Sequence, residues 1–287
     1  MVLIGGHRGS GCTDSAHAAP YGHHKPAENT LLSIHKALSD GADIIEVDVV
    51  QTKDNQLAVT HSNNLNQHVQ SAENLAFVGD YTLSELKEMP VGMHQTGKMP
   101  ELCEVLDLCQ HVALNIEIKD VKGTSAPKFI PQKPLLLEQL AAALKAHQGE
   151  VVVSSFSLWD MAQAAKLMPA IKRGMLFVPD AEAEKPVYKN GEDGSCYLHF
   201  TPENVRLAGQ TAALSYAHPC MGSLAGDALA MCEKLNLGIN AWSLEESPPL
   251  ENPEPLQRCT QLCQQFNRPL AILTDFIPEM QQWLKNN

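Results

Sequence analysis

Residues 41–50 read GADIIEVDVV, and the alternation within them decides how the whole chain is read. Successive side chains of a β-strand point to opposite faces, so Glu46 and Asp48 share one face while Ile45 and Val47 take the other. Alternation of this kind also suits an amphipathic strand whose polar side meets water. Here the opposing positions carry β-branched residues, and the chain around them has the period of parallel strands covered by helices on both faces. Two carboxylates on a buried face repel each other unless a cation lies between them.

The same device recurs in residues 114–120, LNIEIKD, where Glu117 and Lys119 share a face and Ile116 and Ile118 take the other. Three acids from two strands, Glu46, Asp48 and Glu117, suffice to hold one hard divalent cation with water and substrate oxygens completing its shell. Lys119 can then meet a phosphate as a point charge. Residues 51–65, QTKDNQLAVTHSNNL, predict a strand ending at His61. Residues 3–11, LIGGHRGSG, deliver His7 and Arg8 to a glycine-rich turn after the first strand. These groups fall at or near the carboxyl ends of strands, where barrel active sites lie.

Short β-rich runs alternate with helical ones from end to end, the mark of an α/β fold with a parallel sheet. The strand candidates are VLIGG, ADIIEVDVV, QLAVTH, VALNIEIK, EVVVSSFS, RGMLFVP, AALSYAHP, LGINAWSL and LAILTDF, with helical patterns such as NTLLSIHKALSDG and KPLLLEQLAAALKAHQG between them. Eight repeating units plus one extra strand predict a closed (β/α)8 TIM barrel, a single domain over residues 1–287. A doubly wound sheet is the rival, but no GxGxxG turn follows the first strand. Two segments rich in Gly, Pro and charge, residues 10–28 and 180–196, read as loop insertions, the first at the barrel mouth. His17, His23 and His24 belong to the first and are read as part of a polar loop rather than as a second metal site.

With 287 residues, 44% of them hydrophobic, the chain can bury a full core. Its 21 Lys and Arg stand against 33 Asp and Glu, a net charge of -12, which repels polyanions and argues against nucleic acid or an anionic membrane as partner. A small phosphodiester substrate then needs a local positive patch or a metal ion. The cysteines at 12, 103, 109, 196, 220, 232, 259 and 263 form no CxxC pair, so neither a zinc site nor a disulfide frame is expected, and Cys259 and Cys263 read as core-facing thiols of one helix. There is no signal-like leader and no run of roughly 20 apolar residues, so a reduced, cytoplasmic protein without a transmembrane segment is expected. Nothing in the sequence sets the oligomeric state.

HRG at 7–9, AENTLLSIHKALSDGADIIEVDVVQTKDNQLAVTHS at 27–62 and LNIEIK at 114–119 together resemble the glycerophosphodiester phosphodiesterase family, whose pattern runs HRG, ENT, GA-x-x-x-E-x-D-V-x-x-T-x-D, a His and a later E-x-K. VVVSSFSL, LSYAHP, INAWSL and AILTDFIP resemble its weaker C-terminal blocks, so the similarity spans nearly the whole chain. The long insertion between HRG and ENT is more similar to eukaryotic cytosolic members than to compact bacterial ones.

The resemblance implies a TIM barrel that hydrolyses glycerophosphodiesters, such as glycerophosphocholine, to sn-glycerol 3-phosphate and an alcohol with Ca2+ or Mg2+. It implies Glu46, Asp48 and Glu117 as metal ligands with Glu28 beside them, His7 and His61 as general acid and base, and Arg8 and Lys119 on the phosphate. Trp242 matches a strand-7 tryptophan that lines the glycerol side, and Ser155 with Phe156 a positioning block. Ser62 stands where the family has Asp after the histidine, and Ser243, Leu244 and Glu245 stand where it continues Thr-Val-Asn. Alternatives are a lysophospholipase D or phospholipase D-like phosphodiesterase of the same barrel, or a catalytically silent barrel that binds phosphodiesters. The head group, the metal and the choice between water and a substrate hydroxyl as nucleophile stay open.

Overall fold

A computed structural model describes residues 2–11, 25–67, 69, 77–92, 97–119, 133–178, 198–242, 253–265 and 269–287. The expected loop insertions lie largely outside the described residues, as do His17, His23, His24, Cys12, Cys196, Ser243, Leu244 and Glu245. The strands among the described residues are β1 (Val2–Gly6), β2 (Ile44–Gln51), β3 (Leu57–Val59), β4 (Pro90–Val91), β5 (Gly97–Lys98), β6 (Ala113–Ile118), β7 (Val151–Ser155), β8 (Lys172–Phe177), β9 (Tyr216–Pro219), β10 (Gly238–Trp242) and β11 (Leu270–Thr274). The main sheet runs β1-β11-β10-β9-β8-β7-β6-β2-β3 with a further β1–β2 pairing, which is the connectivity of the expected closed (β/α)8 barrel. β3 is the extra ninth strand, antiparallel to β2. It stops at Val59, two residues before His61, as the Thr60 amide turns back to the Asp48 carbonyl at 3.0 Å.

The chain divides into two compact units, residues 6–151 and residues 1–5 with 152–287. In the first, β2 pairs in parallel with β6 from Ile44↔Ala113 to Val49↔Ile118, and all eight residues of β2 are buried. Thr30 caps the helix Leu31–Ser39 with a reciprocal box: its hydroxyl accepts from the Ser33 amide and its own amide donates to the Ser33 hydroxyl, both at 3.1 Å. The T-x-D element of the motif builds a turn. The Thr52 hydroxyl at 2.6 Å and the Leu83 amide at 3.0 Å both donate to Asp54 Oδ1, pinning the helix Leu83–Glu88 against that turn. That helix covers a cluster that includes Val50, Leu65, Val78, Leu86 and Met99. The β4–β5 hairpin was not legible in the sequence, because its two-residue strands are too short to show a period.

In the second unit β7 to β11 are parallel neighbours in chain order, interleaved with the helices Leu158–Leu167, Pro202–Ala212, Gly226–Lys234, Glu254–Gln265 and Ile277–Asn286. Arg173 is a buried staple. Its guanidinium donates to the carbonyls of Met168 and Ala212 at 3.0 Å and Ala213 at 3.1 Å, at the ends of two helices. Cys259 and Cys263 are buried as expected.

His218, on β9, is fully buried over Gly174, where a Cβ would fall on its ring. Burial pushes its pKa from an ordinary 6.5 down to about 3. The unfolded chain therefore binds this proton at a pH where the folded protein does not, so stability rises with pH between those values. Lowering the pH from 7 to 5 should cost about 2 kcal/mol through this residue alone. Urea unfolding at both pH values should show a shallower loss for His218→Leu, and an unchanged slope would contradict the burial argument.

Candidate active site

The site is built entirely from the unit of residues 6–151. The β2–β6 register places Asp48 opposite Glu117 and Glu46 opposite Asn115, so the acids of both strands meet on one face. One oxygen each of Glu46, Asp48 and Glu117 lies within 4.8 Å of the others, a grouping able to hold a metal ion. Glu46 is 2% exposed, Asp48 1% and Glu117 8%. Buried like charges at this spacing cannot all persist unless cations answer them.

Two side-chain cations are in place. Lys119 Nζ lies 2.8 Å from Glu117 Oε1 and 3.3 Å from Asp48 Oδ1. Arg8 donates from Nη1 to Glu28 Oε2 at 2.8 Å, and its Nε lies 3.6 Å from Asp48 Oδ2. The Arg8 amide adds a 2.7 Å hydrogen bond to Glu46 Oε2. Burial alone would raise the Asp48 pKa, but Lys119, His61, Arg8 and the Asn29 hydrogen bond outweigh it and hold the carboxyl well below its usual range. Burial and then Asp48 push Glu46 up, and burial raises Glu117 despite the nearby Lys119. A proton or a further cation must therefore balance this face. Glu46 Oε1 is buried without a hydrogen-bond partner among the described residues, and the donors are hard oxygens, so the residues present fit a divalent cation such as Mg2+ or Ca2+.

His7 follows β1 directly and acts electrostatically on both Glu46 and His61. His61 is half-buried, and burial, then Lys119 and Arg8, push its pKa well below the usual range, so it is held neutral. Ser62, in place of the family's Asp, accepts a hydrogen bond from the Asn64 amide at 3.0 Å and closes a local turn. Glu28 serves Arg8, as its 2.8 Å contact shows.

The backbone that carries these groups is strained where it must be. Arg8, at φ 51°, and Asn29, at φ 54°, are both left-handed, a conformation that costs energy in non-glycine residues and concentrates at functional sites. The Asn29 amide and the Ser33 hydroxyl both donate to the Arg8 carbonyl at 3.0 Å, interlocking the HRG and ENT turns. Gly9, at φ 80°, lets this happen: a Cβ there would sit 2.6 Å from Ser33 atoms. Sequence reasoning assigned no role to Asn29 or Asn115. The first had a signal in ENT; the second had only its place in the alternation of β6.

In the other unit, Trp242 Nε1 donates to the His218 carbonyl at 3.0 Å, and its ring meets Phe156 edge-on with centroids 5.7 Å apart. Ser155 Oγ donates to Asp160 Oδ2 at 3.3 Å and accepts from the Ser157 amide at 3.1 Å, anchoring the start of the helix Leu158–Leu167.

Residues 7–243 match the glycerophosphoryl diester phosphodiesterase family. A glycerophosphodiester phosphodiesterase of Caldanaerobacter subterraneus is 33% identical over 233 residues, covering 78% of this chain and 83% of the relative. One of Bacillus subtilis is 29% identical over 205 residues, covering 63% and 67%. The crystal structure of the Thermotoga maritima glycerophosphodiester phosphodiesterase superposes with a TM-score of 0.64 at 21% identity, covering 100% of this chain and 99% of that one. An Oleispira antarctica phosphodiesterase in complex with the product sn-glycerol-3-phosphate superposes with a TM-score of 0.68 at 19% identity, covering 99% and 97%.

The buried pairs of Arg8 should matter to folding as well. Arg8→Met leaves Glu28 and Asp48 short of a counter-charge and should lower the unfolding free energy by about 3 kcal/mol. Lys36→Met, which breaks the exposed pair with Asp40, should cost less than about 1 kcal/mol. Comparable small losses in urea unfolding would show that the Arg8 pairs contribute little to stability.

Proposed function

Because the chain belongs to the glycerophosphoryl diester phosphodiesterase family, we propose that it hydrolyses glycerophosphodiesters, such as glycerophosphocholine, to sn-glycerol 3-phosphate and an alcohol in a reaction that requires Mg2+ or Ca2+. The observation that carries this reading is the grouping of Glu46, Asp48 and Glu117, on one face of β2 and β6, with Arg8 and Lys119. The product bound by the Oleispira neighbour is of the same chemistry.

Glu46, Asp48 and Glu117 would hold the cation, with Glu28 orienting Arg8 at its edge. A bound divalent cation supplies Lewis acidity toward a phosphoryl oxygen. Arg8 and Lys119 stabilise the negative charge that grows on the phosphoryl oxygens in the transition state. His7 and His61 supply the general acid/base pair, one taking a proton from the attacking oxygen and the other protonating the departing alcohol. The family pattern assigns Trp242 to the glycerol side of the substrate, and within its own unit the residue is braced by Phe156 and the His218 carbonyl. A small substrate accords with the net charge of -12, and a cytoplasmic setting with the free thiols of Cys103, Cys109, Cys259 and Cys263 among the described residues. Among the described residues no helix is long and apolar enough to cross a membrane.

Release of glycerol 3-phosphate from glycerophosphocholine should be abolished by EDTA, restored by Mg2+ or Ca2+, and absent in Glu46→Ala. Release that survives EDTA, or persists in Glu46→Ala, would overturn the cation-dependent mechanism. His7→Ala and His61→Ala should each lower turnover by roughly 10^2 to 10^4 while keeping cation affinity, measured by calorimetry.

A further inference from the structure

We infer that Asn29 is a positioning residue for Asp48, its side-chain amide fixing the plane of that carboxylate and so the direction in which its other oxygen is presented to a cation. The inference rests on the reading of Asp48 as a cation ligand. Asn29 Nδ2 donates to Asp48 Oδ2 at 2.8 Å, and the Asp48 amide donates back to Asn29 Oδ1 at 3.1 Å. Both residues are buried, Asn29 at 2% and Asp48 at 1% exposure, so water does not substitute for either bond.

The fork needs a donor and an acceptor side by side on one short planar group, which is what a primary amide supplies. A carboxylate at the same place would set a second negative charge against Asp48. A hydroxyl has one oxygen to serve both contacts. The amide meets Oδ2 from the side where Arg8 Nε also lies, at 3.6 Å, leaving Oδ1 on the side of Lys119. Rotating the Asp48 carboxylate out of this plane would break the Nδ2 bond and turn the other oxygen away from its place beside Lys119.

The left-handed backbone is part of the device. At φ 54° Asn29 keeps its own amide on the Arg8 carbonyl at 3.0 Å while its side chain reaches β2. Asparagine and glycine tolerate this conformation better than other L-residues. Three consecutive residues thus divide the work: Glu28 holds the Arg8 guanidinium, Asn29 the Asp48 carboxylate, and Thr30 the start of the helix Leu31–Ser39. Groups that orient a metal ligand from behind typically change affinity by 10- to 100-fold.

The test is calorimetric titration of the full chain with Mg2+ and Ca2+ in the absence of substrate. Asn29→Gly keeps the backbone conformation and deletes the amide, and should weaken cation binding by roughly 10- to 100-fold. Excess cation should restore most of kcat and leave the KM for glycerophosphocholine unchanged. A residue needed only for its left-handed turn would leave the glycine variant binding like the wild type, which overturns the inference. Asn29→Ala serves the same comparison if the glycine variant does not fold, with unchanged affinity again the contrary result. Asp48→Asn completes a cycle: on that background Asn29→Gly should have no further effect, and an undiminished effect would show that Asn29 does not act through Asp48. A wild-type protein that binds no divalent cation would instead sink the cation-site reading itself.

Discussion

Three carboxylates buried on one face of two adjacent parallel strands set the terms for everything around them. Glu46, Asp48 and Glu117 meet because β2 and β6 pair with Asp48 opposite Glu117, and the side chains cannot avoid one another without breaking that register. Like charges in a low-dielectric setting must be neutralised by protons, by side-chain cations or by a bound ion. The structure supplies two of the side-chain cations, and both come from segments whose placement depends on the acids they answer. Lys119 arrives by the alternation of β6, and Arg8 by the left-handed turn after β1.

The same constraint links fold to chemistry. Arg8 and Lys119 offset the carboxylates in the protein as it stands. An ion between the acids and a phosphate beyond it would complete an alternating arrangement of charge, with each layer stabilising the next. Burial, and then the positive charge of Lys119 and Arg8, hold the His61 pKa below its ordinary value. The turns that hold these groups interlock through the Arg8 carbonyl, so displacing either the HRG or the ENT segment displaces both.

Much of this was legible in the sequence because it rests on periodicity. The alternation of GADIIEVDVV and LNIEIKD put Glu46, Asp48, Glu117 and Lys119 on their faces, and nine strand candidates resolved into eight parallel strands and the antiparallel β3. What escaped depends on contacts between segments far apart in the chain. Asn29 bonds a residue nineteen positions away, so ENT marks its segment but not its partner, and Arg173 caps helix ends up to forty positions away with no local pattern to mark it. His218 likewise looks like an ordinary strand residue until its burial over Gly174 is known. Two-residue strands such as β4 and β5 fall below the length at which alternation carries information.

Holding Glu46, Asp48 and Glu117 together on one buried face carries a cost that a divalent cation would offset. Thermal unfolding of the wild type and of Glu46→Gln, each in EDTA and in excess Mg2+, tests it most directly. Glutamine removes a buried charge yet retains an acceptor for the Arg8 amide, the bond that now measures 2.7 Å. Mg2+ should raise the Tm of the wild type, whereas the variant should start higher in EDTA and no longer respond. A variant that is less stable in EDTA and still gains Tm with Mg2+ would contradict it.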